Sequence, residues 1–371
     1  GGDLNAYTNK EGTVYYSAIL KEHIARAVDL LSDIVFHSVY PQAEIDKEVE
    51  VICDEIESYN DSPAELIYDE FENILFKGSS LGHNILGTAE QVRSFTTEDA
   101  LRFTRKLYRP DNAIFFAYGD IDFKKLVKLI GRALADDDSG KLAEEDCHAD
   151  FSGGTGFAGD ENSITTEKSV SSVKSVGPKN YPSVGEEIAG QTIVMQKNTH
   201  QAHVMIGTRA YDVNDDRRMP LYLLNNILGG PGMNAKLNLA LREHNGLVYT
   251  VESTMVAYGD TGTWSIYFGC DEHDIKRCLR LVRKELDRMM EKPLSDSQLE
   301  AAKKQIKGQI GVACDNRENF ALDFGKSFLH YGWEKNVDCL YEQVEAITSQ
   351  QIQDVARELF DKDRLITLIF K

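Results

Sequence analysis

Apolar residues recur at Ile24, Val28, Leu31 and Val35, four and then three apart, the spacing that lines one face of an α-helix. The same stripe returns at Ile275, Leu279, Val282 and Leu286. Each stripe follows two runs rich in β-branched and aromatic residues that predict paired strands, near 3-8 and 13-20 before the first and near 247-257 and 261-270 before the second. Further helices are predicted at 43-59 and 296-310. Ser62-Pro63-Ala64-Glu65 predicts another helix start, with a capping box and proline at the first helical position. A helix from Glu98 to Tyr108 is expected to lead through Arg109-Pro110-Asp111 into a strand from Ala113 to Tyr118. Residues 191-250 read as strand, helix, a glycine-rich turn (Gly229-Gly230-Pro231-Gly232) and another helix.

The pattern is an internal repeat. Glu90-Gln91-Val92 recurs as Glu342-Gln343-Val344, an offset of 252 that also pairs Thr96 with Thr348, Arg105 with Arg357, Leu107 with Leu359, Asp111 with Asp363 and Ile114 with Ile366. Upstream the offset is 251 for the helical stripes and 250 for Gly12-Thr13 against Gly262-Thr263. A series of strands followed by helices predicts an α+β architecture used twice: two homologous domains, each a mostly antiparallel sheet with helices packed on one face. Counterparts of residues 191-250 fall about 60 residues ahead of Gly1, so the first half is expected to be truncated at its front. The chain also opens on Gly-Gly-Asp-Leu, with no methionine and no readable targeting signal.

Composition refines the picture. The stretch 136-190 is acidic and rich in Gly and Ser, with too few large apolar residues to offset ordering entropy, and is read as a linker between a first domain (1-135) and a second (191-371). Its Gly154-Thr155-Gly156-Phe157-Ala158-Gly159 has the form of a dinucleotide loop, but no predicted strand precedes it and no helix follows. A formal charge of −19 argues against nucleic acid as a partner. No apolar run approaches the ~20 residues of a membrane-spanning helix. Six cysteines without a CxxC pair fit a reducing compartment, and a cytoplasmic location is expected.

Candidate chemistry is sparse. Glu48 and Glu55 lie seven residues apart on the 43-59 helix, hence on one stripe beside the apolar face of Ile45, Val49, Ile52 and Ile56. A carboxylate at that border can serve as a metal ligand or support one. Spacing alone favours the plainer reading, two solvated acids. In the repeat Gln309 stands opposite Glu55 and Ala302 opposite Glu48, so the apolar positions persist while the acids do not. Arg242 and Tyr249 flank a helix end at Asn245-Gly246 and can converge on a peptide carbonyl or its oxyanion; apart, they are an exposed arginine near a helix terminus and a half-buried strand tyrosine. None of the nine histidines forms His-x-x-x-His or His-Glu-x-x-His. His200 and His203, three apart at a strand entrance, fall on opposite faces.

Several segments, in order, resemble one family. These are Gly1-Gly2-Asp3-Leu4-Asn5-Ala6-Tyr7-Thr8, Glu11-Gly12-Thr13-Val14-Tyr15-Tyr16, Glu48 through Glu55-Ile56, Leu81-Gly82-His83 with Leu86-Gly87-Thr88, Leu228-Gly229-Gly230, and Leu241-Arg242-Glu243 with Gly246-Leu247-Val248-Tyr249. They are similar to the insulinase and mitochondrial processing peptidase family of zinc metallopeptidases over nearly the whole chain except the linker. The resemblance implies a zinc cofactor held by an inverted His-x-x-Glu-His motif and a distant helical glutamate. Glu55 matches that glutamate and Glu48 the acid that supports it. Asn5 and Ala6 match the edge strand that pairs with an extended substrate, and Arg242 and Tyr249 match the second-domain pair that holds substrate and stabilises the tetrahedral intermediate. The resemblance further implies a two-domain chamber that takes unfolded peptides as substrate, and a homodimer. The His-x-x-Glu-His motif is absent from the sequence and is expected about twenty residues before Gly1. The chain as it stands is therefore expected to bind zinc poorly and to leave peptides uncut. The alternatives are a non-catalytic family subunit and a peptide-binding scaffold.

Overall fold

Two hairpins, each followed by a run of helices, set the architecture. The computed structural model describes residues 2-135, 189-197, 199-332 and 336-371, so nearly all of the 136-190 linker, with its 154-159 glycine sequence, lies outside the described residues. The first half opens on antiparallel Gly2–Thr8 (β1) and Thr13–Ile19 (β2). Helices follow at Ile24–Phe36 (α1), Gln42–Asn60 (α2), Pro63–Leu75 (α3), Ala89–Arg93 (α4), Thr97–Leu107 (α5) and Phe123–Ala135 (α6). The second half begins with Thr192–Met195 (β3), Ala202–Ala210 (β4), Arg218–Gly229 (α7) and a π-helical turn at Asn238–Glu243. It continues with Val248–Ala257 (β5), Gly262–Cys270 (β6), Ile275–Glu291 (α8), Asp296–Asp315 (α9), Arg317–Tyr331 (α10), Val337–Ala346 (α11), Ser349–Leu359 (α12) and Ile366–Phe370 (β7).

The repeat survives at the level of helix starts. α1 and α8 begin 251 residues apart, α5 and α12 begin 252 apart, and α2 with α9 and α3 with α10 begin 254 apart. The chemistry repeats as well: Thr96 and Thr348 each accept a hydrogen bond from the backbone N–H three residues on, and Asp99 and Gln351 reach back to close the capping box.

Five strands form the larger sheet in the order β3-β7-β4-β6-β5, antiparallel except for the β3-β7 pair. Because strand side chains alternate faces, Val204, Ile206, Trp264, Ile266 and Phe268 enter one core, under α7, α8 and α12. Met205, Ile366, Leu368 and Phe370 enter another. The second core is completed from the first half: Leu66, Ile67, Phe71 and Leu75 of α3, with Phe76 and Leu81 just beyond, lie across the opposite face of the sheet. α10, the repeat partner of α3, returns the arrangement. Its Phe324 stacks on Phe116 at 4.9 Å between ring centroids and its Phe320 lies 5.5 Å from Tyr118. Each half thus lends the other one helix. Two turns close the exchange: Gly259 N–H donates to Glu11 (3.2 Å), and Tyr258 O–H donates to Glu72 of α3 (2.9 Å).

Two expectations are corrected. Residues 113-118 form no strand, although Ala113 has extended dihedrals. Their repeat partner β7 is hydrogen-bonded to β3 and β4, whose counterparts are not among the described residues, and a strand without a neighbour has no ladder to join. Ser62 also makes no side-chain cap, although Pro63 does occupy the first turn. Its ψ of 84° differs from the 150-164° of Thr88, Thr96, Ser295 and Thr348, all of which close capping boxes, and it turns the hydroxyl away from the third N–H.

Phe71 is 2% exposed and belongs to the core shared by both halves. Phe71→Ala is expected to destabilise the protein by about 3-5 kcal/mol through lost burial and a residual cavity. Guanidinium unfolding followed by circular dichroism measures it, and a midpoint equal to wild type contradicts a shared core.

Candidate functional site

α2 carries the first candidate. Val49 and Cys53 turn inward against Val92 of α4, with Ile45, Ile52 and Ile56 flanking, which leaves Glu48 and Glu55 together on the exposed side of the helix. Neither makes a side-chain hydrogen bond or ion pair among the described residues, and neither belongs to a three-ligand group there. The copy in the second half shows what that stripe faces. Because α2 and α9 start in register, position 55 corresponds to Gln309, and Gln309 Oε1 accepts a 2.6 Å hydrogen bond from Asn226 of α7. Position 48 corresponds to Ala302, half-buried on the same helix. In the second half, the residue at the Glu55 position therefore points at the helix that precedes the glycine-rich turn. The counterpart of that helix is absent from the described residues of the first half.

Asn5 and Ala6 lie on β1, whose seven residues are all exposed. The strand pairs with β2, Asn5 opposite Tyr16 and Ala6 opposite Tyr15, and its other edge pairs with no described strand. Asn5 Oδ1 accepts from the Ala6 N–H at 2.8 Å. An exposed edge of this kind offers main-chain donors and acceptors to an added strand.

Arg242 and Tyr249 are brought together. Arg242 ends the π-helical turn, and its guanidinium carbon sits 5.8 Å from the centroid of the Tyr249 ring. Glu243 Oε1 also lies 3.8 Å from Nε of the same guanidinium. A bulge between Val248 and Val251 releases Tyr249 from the regular ladder, and the side chain is 83% exposed, not half-buried as a strand tyrosine would be. The pair forms a solvent-facing cation-π clamp with N–H and O–H donors free for a ligand.

Sequence reasoning missed three polar groupings that pattern analysis does not reveal, because each joins elements distant in the chain. The first is the Asn226–Gln309 amide pair, with Asn225 donating to the Ser253 carbonyl (3.0 Å) nearby. The second is the buried junction of Lys10, Glu72 and Tyr258, where burial raises the Glu72 carboxyl above the usual range despite Tyr258 and Lys10. The third is His203, which is half-buried and shares a 2.9 Å hydrogen bond with Tyr267 O–H. His200 is exposed, and neither histidine belongs to a three-ligand group among the described residues. Asp271, His273 and Asp274 cluster at the start of α8, where a helix N-terminus attracts acids without any metal.

The comparisons with known proteins agree with one another. Residues 1-89 match the family model described as insulinase (peptidase family M16), and residues 94-306 match that of the peptidase M16 inactive domain. The chain is 28% identical over 372 residues to the uncharacterized zinc protease YmxG of Bacillus subtilis, covering 100% of this chain and 81% of that protein. An uncharacterized zinc protease of Streptomyces coelicolor is likewise 28% identical, with 100% of this chain and 74% of that protein covered. Among solved structures, a protease from Helicobacter pylori superposes with a TM-score of 0.80 at 18% identity, covering 100% of this chain and 82% of the other. A putative M16-like peptidase from Alicyclobacillus acidocaldarius gives 0.73 at 18%, with 100% and 80% covered. These likenesses show the fold. Among the described residues no helix is long and apolar enough to cross a membrane.

Burial pulls His203 below the usual imidazole value of 6.5. A depressed base contributes stability that is present above the unfolded value near 6.5 and is lost as pH falls through the folded value. Wild type is therefore expected to lose stability from about pH 6.5 downward, and His203→Gln to flatten that limb. Urea midpoints at pH 7.5 and pH 5 measure it; an unchanged pH dependence in the variant contradicts the assignment.

Proposed function

Because the chain belongs to peptidase family M16, we propose that it serves a zinc metallopeptidase that hydrolyses unfolded peptides, with Glu55 as one metal ligand. The observation that carries this reading is the Gln309–Asn226 contact, the second-half copy of position 55 facing α7. A carboxylate at that position suits zinc, which takes oxygen as well as nitrogen ligands. The remaining ligands and the general base belong to a His-x-x-Glu-His motif on the first-half counterpart of α7, which residues 1-371 do not contain. On this reading the chain alone retains zinc poorly and is inactive. When bound, zinc polarises the scissile carbonyl and lowers the pKa of its water.

The chain's own residues supply the rest. Glu48, one stripe below Glu55, biases the local field toward a cation. The free edge of β1 at Asn5 and Ala6 pairs with an extended substrate main chain, which selects unfolded segments regardless of side chain. Arg242 and Tyr249 donate to the peptide carbonyl and to the charge that develops on its oxygen. In a homodimer the exposed clamp of one copy faces the metal site of its partner, which accounts for so open an arginine-tyrosine pair. The five described cysteines are all free thiols, which supports a reducing compartment such as the cytoplasm.

A second reading, a non-catalytic subunit or peptide-binding scaffold, draws support from the family model covering 94-306, described as an inactive domain, and from the lack of a three-ligand group around Glu55 among the described residues.

In protein carrying an intact motif, Glu55→Gln is expected to lower zinc content from about one equivalent per chain to near zero and to abolish cleavage. Elemental analysis after gel filtration distinguishes the readings: full zinc retention in the variant removes Glu55 from the ligand set, and no zinc in wild type supports the scaffold. In the same protein Arg242→Ala is expected to lower kcat/KM by about 100-fold with zinc content unchanged.

A further inference from the structure

The turn that carries Arg242 is held by a side-chain relay to α8. In the π-helical turn His244 N–H bonds back to the Leu239 carbonyl (3.0 Å), five residues earlier, so the Ala240 carbonyl loses the donor an α-helix would give it. Asn245 replaces that donor: its Nδ2 bonds the Ala240 carbonyl at 2.8 Å. The Asn245 Oδ1 in turn accepts from Arg277 Nη2 of α8 at 2.9 Å, which fixes the orientation of the amide at both ends. Gly246 follows with φ of +60°, its N–H bonding the Arg242 carbonyl (2.7 Å) while Leu247 N–H bonds the Leu241 carbonyl (2.9 Å), and the chain enters β5 one residue before Tyr249.

We propose that Asn245, locked by Arg277, is a positioning residue for the Arg242/Tyr249 peptide clamp. This rests on the reading that the clamp holds peptide. The argument is geometric. Arg242 and Tyr249 belong to different elements joined by a four-residue link, 244-247, whose path is set at Asn245 and Gly246, and both clamp side chains are exposed, so packing does not fix them. The relay does so through the backbone. α8 is the rigid end, with Ile275, Cys278 and Val282 buried in the main core. Arg277 projects from that helix toward solvent and makes this bond, which a lysine can replace as a single donor and a methionine cannot.

The test uses the chain itself and a fluorescein-labelled, unfolded 20-residue peptide of Leu, Ala, Ser and Lys, read by fluorescence anisotropy. Arg242→Ala is expected to weaken binding about tenfold, and no change there overturns the clamp reading and the relay with it. With that effect in hand, Asn245→Ala and Arg277→Met are each expected to weaken binding about fivefold, and Arg277→Lys to restore most of it. In the Arg242→Ala background Asn245→Ala is expected to add less than about twofold, because it acts through Arg242. A full fivefold loss in that background, or wild-type affinity for Asn245→Ala alone, overturns the proposal while leaving the clamp in place. Should Asn245→Ala unfold by circular dichroism, the Arg277→Met and Arg277→Lys pair decides it: equal affinity in the two refutes the relay.

Discussion

Burial of the α3 stripe, Leu66, Ile67, Phe71 and Leu75, beneath the five-stranded sheet of the other half is the interaction on which the remaining geometry depends. Each such side chain contributes roughly 1.5-3 kcal/mol by leaving water, whereas exposed ion pairs such as Lys47–Glu44 or Arg102–Asp99 are screened by solvent and contribute little. The shared core therefore decides how the halves sit. α2 runs directly into α3 through Asp61 and Ser62, so the same burial that docks α3 also fixes the stripe of Glu48 and Glu55. The polar contacts at the junction, Gly259 to Glu11 and Tyr258 to Glu72, add direction to an arrangement already set by apolar area.

The two halves show what a five-stranded sheet does for its helices that a two-stranded one does not. α8 buries Ile275, Cys278, Val282, Leu286 and Met289 in the main core, which also takes side chains from β4, β5, β6 and β7. Its partner α1, with the same stripe, buries Val28 and Ser32 beside a two-stranded hairpin. Leu4, Leu20, Leu30, Phe103 and Tyr118 of the first half are correspondingly exposed. The contrast follows from the strands available to each half, and it explains why residues 113-118 run without a ladder while their repeat partner β7 pairs on both sides.

Much of this was legible in the chain. Periodicity located α1, α2, α8 and α9, and the repeat offset assigned them in pairs before any contact was known, because each copy must bury the same face. The convergence of Arg242 and Tyr249 followed from a helix stop at Asn245-Gly246 next to a strand. What escaped is what depends on partners far along the chain or on local torsion. The Ser62 cap failed on one ψ angle, the Ala113-Tyr118 strand failed for want of neighbours, and Tyr249 proved exposed because a bulge re-aims it. The Asn245–Arg277 relay joins residues 32 apart and leaves no periodic trace. Glu55 acquires a direction only from the amide contact made by its copy, Gln309.

The most direct test of the central claim is anomalous diffraction at the zinc K-edge from crystals of protein carrying an intact His-x-x-Glu-His motif together with residues 1-371. The account predicts one strong peak within coordination distance, about 2.0-2.2 Å, of a Glu55 carboxylate oxygen. A peak at Asp271, His273 and Asp274 instead, or an ordered zinc with Glu55 left in solvent, contradicts it.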